Sequence, residues 1–274
     1  MSMSRRTFTL ILAMTPGIGG RSVVKVLARN DLLSRTPEEF FQLSFEAYVE
    51  EYKLLRKAAE YLTQHRETLE NEIEPLEKRL ETLGVRWAVI TDAGYPEQIE
   101  QFDPDPPAMV FLYGNTKLLG AKTFSVLSSR HASEQQLYEI ERLTEEGVLN
   151  GEVLVTGHDR PEYQRSAVVP LRWGAPRILC LDRGLFQVLG EDLKNEAFRM
   201  ARLWRYEFDP TTDLVISPFR PEARFVGVNN QVRDRLVASM SSRIDFVNVR
   251  PGGNMDKIGN LARKAGRIVT PFGQ

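Results

Sequence analysis

The residues Ser129-Arg130-His131-Ala132-Ser133 have the types and spacing of an anion site. Ser129 and Ser133 carry hydroxyl groups, and Arg130 between them carries a planar fork of N–H donors that matches a phosphate. The apolar run Phe124 to Leu127 ahead of them reads as a buried strand, and Glu134 to Glu146 behind them as an amphipathic helix with Leu137, Ile140 and Leu143 on one face. A loop in that position brings its side chains to a helix start, where free N–H groups and the helix dipole favour negative charge. An ordinary strand–loop–helix turn capped by Ser133 uses the same residues, so the weight falls on what the other strands deliver.

The elements that position this loop begin at Val85. Arg86–Thr91, Val110–Tyr113, Phe124–Leu127, Val153–Thr156, Arg177–Leu181, Leu214–Ile216, Asp245–Val249 and Arg267–Val269 are short apolar runs with little alternation. Strands buried on both faces of a parallel sheet read this way. Helical stretches lie between several of them, which predicts an α/β fold with a Rossmann-like, doubly wound, mostly parallel sheet. Ligands in such sheets bind beyond the carboxyl ends of the strands, at the switch point. Thr156-Gly157-His158-Asp159 and Arg250-Pro251-Gly252-Gly253-Asn254 are polar or glycine-rich loops at two further strand ends. Thr156, Gly157, Gly252, Gly253 and Asn254 therefore join Ser129, Arg130 and Ser133 as candidate phosphate-binding residues.

Residues 1–84 read as a separate small all-helical module, with the Rossmann-like domain spanning 85–274. Thr7 to Met14 and Arg21 to Arg29 are helical, and Thr15-Pro16-Gly17-Ile18-Gly19-Gly20 is a tight turn between them. The arrangement resembles a helix-hairpin-helix, in which backbone N–H groups meet a nucleic-acid phosphate without reading sequence. Gly17, Gly19, Gly20, Arg21 and Lys25 are the residues this resemblance marks. Thr36-Pro37-Glu38-Glu39 is a helix start. From Phe45 to Leu83 the chain is helical, and Leu62, Leu69, Ile73, Leu76, Leu80 and Leu83 form a seam of 7-4-3-4-3 spacing. Pro75 is expected to break it and start a second helix, giving a packed hairpin rather than a coiled-coil dimer.

The chain has 274 residues, 42% hydrophobic and 27% charged, with a net charge of −1, as ordinary soluble proteins do. The charge is unevenly spread. Residues 85–215 hold 14 Lys/Arg against 20 Asp/Glu, whereas 216–274 hold 10 against 4, eight of the ten being Arg. An arginine-rich basic segment suits phosphate recognition; the other use of those arginines is to pair with the acidic middle segment. The single cysteine, Cys180, lies in an apolar run and reads as a buried thiol in a reducing compartment. No apolar run approaches the length of a membrane span, and Arg5-Arg6 before Phe8–Met14 lacks a small-residue cleavage site. A cytoplasmic protein without membrane contact is expected. Three histidines, His65, His131 and His158, and one cysteine suggest no metal site, although His131 and His158 both follow strand ends and are candidates for one pocket. No cofactor is expected.

Taken in order, these loops resemble the DNA-processing protein A (Smf) family along nearly the whole chain. The resemblance rests on Gly17-Ile18-Gly19, Tyr95-Pro96-Glu97-Gln98-Ile99, Asp105-Pro106-Pro107 and Leu112-Tyr113-Gly114-Asn115, then on Ser129-Arg130-His131-Ala132-Ser133. It continues through Arg233-Asp234-Arg235-Leu236-Val237-Ala238-Ser239-Met240-Ser241, which is similar to the family's Arg-Asn-Arg-Ile-Ile-Ala-Gly-Leu-Ser, and ends at Gly266-Arg267 and Pro271-Phe272-Gly273. The resemblance implies a non-enzymatic protein that binds single-stranded DNA and hands it to a strand-exchange recombinase in natural transformation. It adds Arg233 and Arg235, which are expected to line one anion pocket with Arg130. The family's Ser-Gly-Gly-Ala-x-Gly-Ile-Asp and Ser-Gly-Ser-Leu-x-Thr-Ala loops are replaced by Thr156–Pro161 and Gly252–Ile258, and the chain ends at Gln274, short of the C-terminal domain of many members.

Two other readings accompany this one. A regulator or antitoxin-type partner of a toxin or phage-defence protein would keep the fold and sense nucleic acid or nucleotide; a homodimer fits either role. An enzyme of the Lonely Guy phosphoribohydrolase type would use Pro-Gly-Gly-x-Gly-Thr-x-x-Glu. Here Pro251-Gly252-Gly253-Asn254 is followed by Met255-Asp256-Lys257-Ile258, without the threonine and glutamate, and Asp256 reads as a cap or surface acid.

Overall fold

The computed structural model describes residues 3–270, so Pro271-Phe272-Gly273 lie outside the described residues. The chain divides into two compact units: residues up to Tyr95 together with Asp105–Val110, and Pro96–Pro104 together with the residues from Phe111 onward.

The first unit holds six helices: α1 (Arg5–Met14), α2 (Gly20–Leu33), α3 (Pro37–Phe41), α4 (Phe45–Glu50), α5 (Arg56–Gln64) and α6 (Arg66–Thr82); the strand β1 (Arg86–Val89) follows them. Thr36 caps α3 in a reciprocal capping box with Glu39, and Pro37 sits at the first helical position. Phe8, Phe40, Phe41, Tyr48 and Tyr52 pack edge to face as an aromatic centre. The apolar seam is real, with Leu62, Leu69, Ile73 and Leu80 buried and α6 packed on α1. Its break is elsewhere than expected. The helix stops at His65, and Pro75 lies inside α6 without ending it. Pro75 is exposed, and buried Ile73 and Leu80 on either side hold both halves in place, so packing outweighs the lost backbone bond.

The second unit contains α7 (Glu97–Phe102), the greater part of β2 (Met109–Gly114), β3 (Thr123–Ser128), α8 (Glu134–Leu149), β4 (Val153–Thr156), α9 (Pro161–Ala167), α10 (Val169–Trp173), β5 (Arg177–Cys180), α11 (Leu185–Leu189), β6 (Leu214–Ser217), α12 (Asn229–Ser239), β7 (Arg243–Asn248), α13 (Asn254–Lys264) and β8 (Ile268–Val269). The strand order is β1-β2-β6-β5-β4-β3-β7-β8. β2 runs antiparallel to β6, and the neighbours from β6 to β8 are parallel. This is the doubly wound, mostly parallel α/β sheet that the short apolar runs predicted. Every residue of β3, β4, β5 and β6 is buried, which is why these strands show no alternation. From β3 the chain winds outward through β4, β5 and β6, then returns to β7 on the other side of β3. The switch point therefore lies between the carboxyl ends of β3 and β7.

A buried ionic cluster sits at the opposite end of β5. Arg177 is fully buried and donates to Asp213 (Nε–Oδ2 2.8 Å), to the Ala167 carbonyl (2.9 Å) and to Glu196. Cys180 is a buried free thiol, raised by burial well above its ordinary pKa.

Candidate functional site: a crevice at the switch point

At the end of β3 the pairing register with β7 shifts between Leu127 and Ser128. Such a bulge re-aims the residues that follow. The Ser129 N–H donates to the Asn248 carbonyl (2.6 Å), and the Ser129 hydroxyl accepts from the Arg250 N–H (3.0 Å), so the two loops at the switch point are tied together. His131 then adopts a left-handed conformation, φ 66°, and Ser133 starts α8 with a capping box to Gln136. Arg130 is exposed and has no carboxylate partner among the described residues. Arg250 reaches across to the Arg130 carbonyl (3.1 Å).

These loops open a crevice of about 430 Å³. Ser129, Arg130 and Arg250 line it on one side, the first turn of α13 (Gly253 to Met255) on another, and Arg160, Asn230 and Asp234 on the third. No side chain caps α13 at Gly253, so its first-turn N–H groups are available as donors. Asp256 instead closes the preceding loop by accepting from the Gly252 N–H (2.8 Å), which is the cap role its sequence position suggested.

Behind the crevice lies a saturated polar core. Arg233 is fully buried, stacked over the Tyr163 ring at 4.5 Å, and donates to Asp234 (2.7 Å), Asn230 (3.0 Å) and Asp159. Burial opposes its charge, but Tyr163, Asp234 and Asp159 hold the guanidinium protonated, with its pKa raised. Asp234 also accepts from the Tyr163 hydroxyl (2.7 Å) and the Asn254 amide (2.8 Å). Arg160 approaches Asp234 at 3.4 Å with its guanidinium 4.6 Å from the Tyr163 ring centroid, and its Nε is buried without a hydrogen-bond partner among the described residues. Of the charged residues that line the crevice, three are arginines (Arg130, Arg160 and Arg250) and one is an aspartate (Asp234), so the lining is net positive.

The structure thus brings Ser129, Arg130, Gly253 and Asn254 together as expected, and places the other candidates differently. Thr156 is buried and bonds to Ser166 (2.9 Å). Gly157 is buried as well; a Cβ there would meet Tyr163 at 2.8 Å and Arg233 at 2.9 Å, so the glycine admits the Arg233–Tyr163 stack rather than a ligand. Ser133 spends its hydroxyl on the α8 cap. Gly252 adjoins the crevice without lining it. Arg233 supports the crevice from within, and Arg235 turns to α7, pairing with Asp103 at 2.8 Å. Two residues apart on α12, the two arginines face different sides. His158 is buried, pushed down to about 4 by desolvation, while His131 is exposed, so the two do not share the pocket. Arg160 and Arg250 were not singled out in the sequence, although each lies in a loop at a strand end.

In the first unit, the Gly17–Gly20 turn joins α1 to α2 as expected, with Gly17 at φ 88°. The Gly20 N–H is already donated to the Pro106 carbonyl (3.2 Å), and a Cβ there would lie 2.7 Å from the same oxygen. Gly20 is therefore a packing glycine with no free donor. Gly17, Gly19, Arg21 and Lys25 are exposed. Among the described residues no cluster of His, Cys, Asp and Glu suits a metal ion, and no helix is long and apolar enough to cross a membrane.

Residues 86–168 match the family model for DNA recombination-mediator protein A. The fold is similar to the crystal structure of DNA processing protein A from Streptococcus pneumoniae, with a TM-score of 0.68 at 18% identity, over 98% of this chain and 86% of that one. It is also similar to DNA processing protein A from Helicobacter pylori, with a TM-score of 0.50 at 16% identity, over 67% of this chain and 79% of that one; that structure was described for its single-stranded DNA binding mode. No curated protein matches the chain.

Proposed function

We propose that this chain, a divergent member of the DNA recombination-mediator protein A family through its residues 86–168, binds single-stranded DNA at the switch-point crevice and acts in DNA processing without catalysing a reaction. The observation that carries this reading is the convergence of Arg130, Arg160 and Arg250 with the uncapped start of α13. Exposed or under-satisfied guanidinium groups and helix N–H donors are what a phosphate backbone requires. The Helicobacter pylori relative, whose single-stranded DNA binding was described, supports the choice of ligand. The crevice carboxylate, Asp234, is committed to Arg233, Tyr163, Arg160 and Asn254, which argues against its use as a general base. Delivery of the bound strand to a recombinase is the cellular role proposed with it. Exposed Arg21 and Lys25 on α2 supply a second, sequence-independent phosphate contact. Binding of labelled single- and double-stranded oligonucleotides across a salt series tests the reading; absence of binding at low salt rejects it.

A further inference from the structure

A second basic and aromatic surface is anchored at the amino ends of β5 and β6, the end of the sheet opposite the crevice. It is built on the 3-10 turn Arg199–Leu203 and the residues after it. From Arg199 to Phe208 the chain sets Arg199, Arg202 and Arg205 among Trp204, Tyr206 and Phe208, and Glu207 is the one acid of the stretch. Arg205 is turned inward. It donates to Glu196 (3.3 Å) and to Asp213, the two carboxylates that buried Arg177 also holds. Anchoring of Arg205 leaves its neighbours Trp204 and Tyr206 at the surface. Leu203, Trp204 and Tyr206, with Trp173 from the end of α10, are between 40% and 78% exposed.

The rings are held in place and set among cations. The Arg172 guanidinium lies over the Trp204 ring at 5.2 Å, and that of Arg202 over the Tyr206 ring at 5.9 Å. The Trp204 and Arg205 N–H groups both donate to the Ala201 carbonyl (3.0 and 3.1 Å), and the Phe208 N–H donates to the Lys194 carbonyl (2.8 Å). Arg199 and Arg202 are exposed and have no carboxylate partner among the described residues. The acids of α8 nearby are already engaged. Glu139 and Glu146 pair with Arg142, Glu141 pairs with Arg165 and Arg172, and Glu145 accepts the Trp173 indole N–H (3.0 Å). What remains is two uncommitted guanidinium groups beside three partly exposed aromatic rings. Proteins that bind single strands without reading sequence use this combination: the cations meet phosphates and the bases stack on the rings.

We infer that this patch is a second contact for single-stranded DNA, in which bases stack on Trp173, Trp204 and Tyr206 and phosphates pair with Arg199 and Arg202. The inference rests on the reading that the chain binds single-stranded DNA. The crevice grips the strand by its phosphates, and a strand long enough to pass to the other end of the sheet reaches the patch.

Oligothymidylates of increasing length, titrated into the full chain, test it through intrinsic tryptophan fluorescence, with the anisotropy of labelled strands read in parallel. Trp173 and Trp204 are two of the three tryptophans, and the third, Trp87, lies in β1. A base stacked on an indole quenches its emission. Long strands should quench the wild-type chain, and an abasic strand of the same length should bind without quenching. The double variant Trp173→Phe/Trp204→Phe should lose the quench. Tyr206→Ala should weaken binding of long strands roughly tenfold, within the range of one lost base stack. Arg202→Ala should make their salt dependence shallower by about 0.7 log units per tenfold rise in salt. Neither variant should change the binding of strands too short to leave the crevice. Arg202 and Tyr206 are exposed, and unchanged circular dichroism and melting temperature verify folding. Absence of wild-type binding at low salt rejects the DNA reading and the inference with it. Wild-type binding without a quench, or long-strand affinities that ignore Tyr206→Ala and Arg202→Ala, overturns the inference alone and leaves the crevice standing.

Discussion

Three arginines illustrate how much a residue's surroundings decide its role. Arg130 is exposed and has no carboxylate partner among the described residues, so Arg130→Ala should leave the thermal midpoint unchanged while weakening single-stranded DNA binding by about 1.5–3 kcal/mol, the cost of a lost charge-assisted hydrogen bond. Arg233 is buried among Asp159, Asp234 and Asn230. Arg233→Ala removes the cation bonded to Asp159 and leaves Asp234 with Arg160 alone as its cation, and should cost about 3–5 kcal/mol of stability in denaturant titration. Arg235 pairs with Asp103 on the α7 side, and its removal should spare the crevice. His158 yields a pH prediction. Burial holds its pKa near 4, below the ordinary value of 6.5. Above pH 6.5 neither the folded nor the unfolded imidazole is charged, and the residue makes no pH-dependent contribution. Between 6.5 and 4 the unfolded chain takes up a proton that the folded chain refuses, so stability falls as pH falls, by about 3 kcal/mol in all. His158→Gln should flatten that part of the stability curve; an unchanged slope contradicts the assignment.

At the scale of elements, the Ser133–Gln136 capping box is a structural device. Ser133→Ala should cost about 1 kcal/mol of stability with no change in DNA affinity, whereas a direct phosphate contact would show the reverse. The strands and their mostly parallel arrangement were legible because most are short buried runs ending in turn residues, and this placed the loops after β3 and β7 among the candidate strand ends; the order of winding was not. Ser129, Arg130, Gly253 and Asn254 followed from that placement. The rest of the site was not legible for a definite reason: which strand-end groups face a crevice and which face the core depends on packing across α9 and α12. Tyr163 in α9 supplies the ring on which Arg160 and Arg233 both stack, and nothing in its local sequence marks it. Pro75 is a further instance, since its effect on α6 was decided by buried neighbours rather than by proline's intrinsic preference.

At the scale of the whole molecule, part of the basic balance of residues 216–274 is spent on folding. Arg233, Arg235 and Arg243 pair with Asp159, Asp103 and Glu152 of the acidic middle segment, so regional net charge overstates the field available to a ligand. DNA affinity should accordingly rest on a small set of phosphate contacts at the crevice. Each contact should lower the logarithm of the association constant by about 0.7 per tenfold rise in salt for a single strand. The most direct measurement is fluorescence anisotropy of a labelled single-stranded oligonucleotide with the wild-type chain, Arg130→Ala, Arg250→Ala and the double variant across a salt series. The account predicts binding at low salt, weaker binding in each variant and a shallower salt dependence in the double variant. Wild-type affinity in all three variants, with binding lost instead on Arg21→Ala and Lys25→Ala, would place the DNA on the α1–α2 hairpin and contradict it.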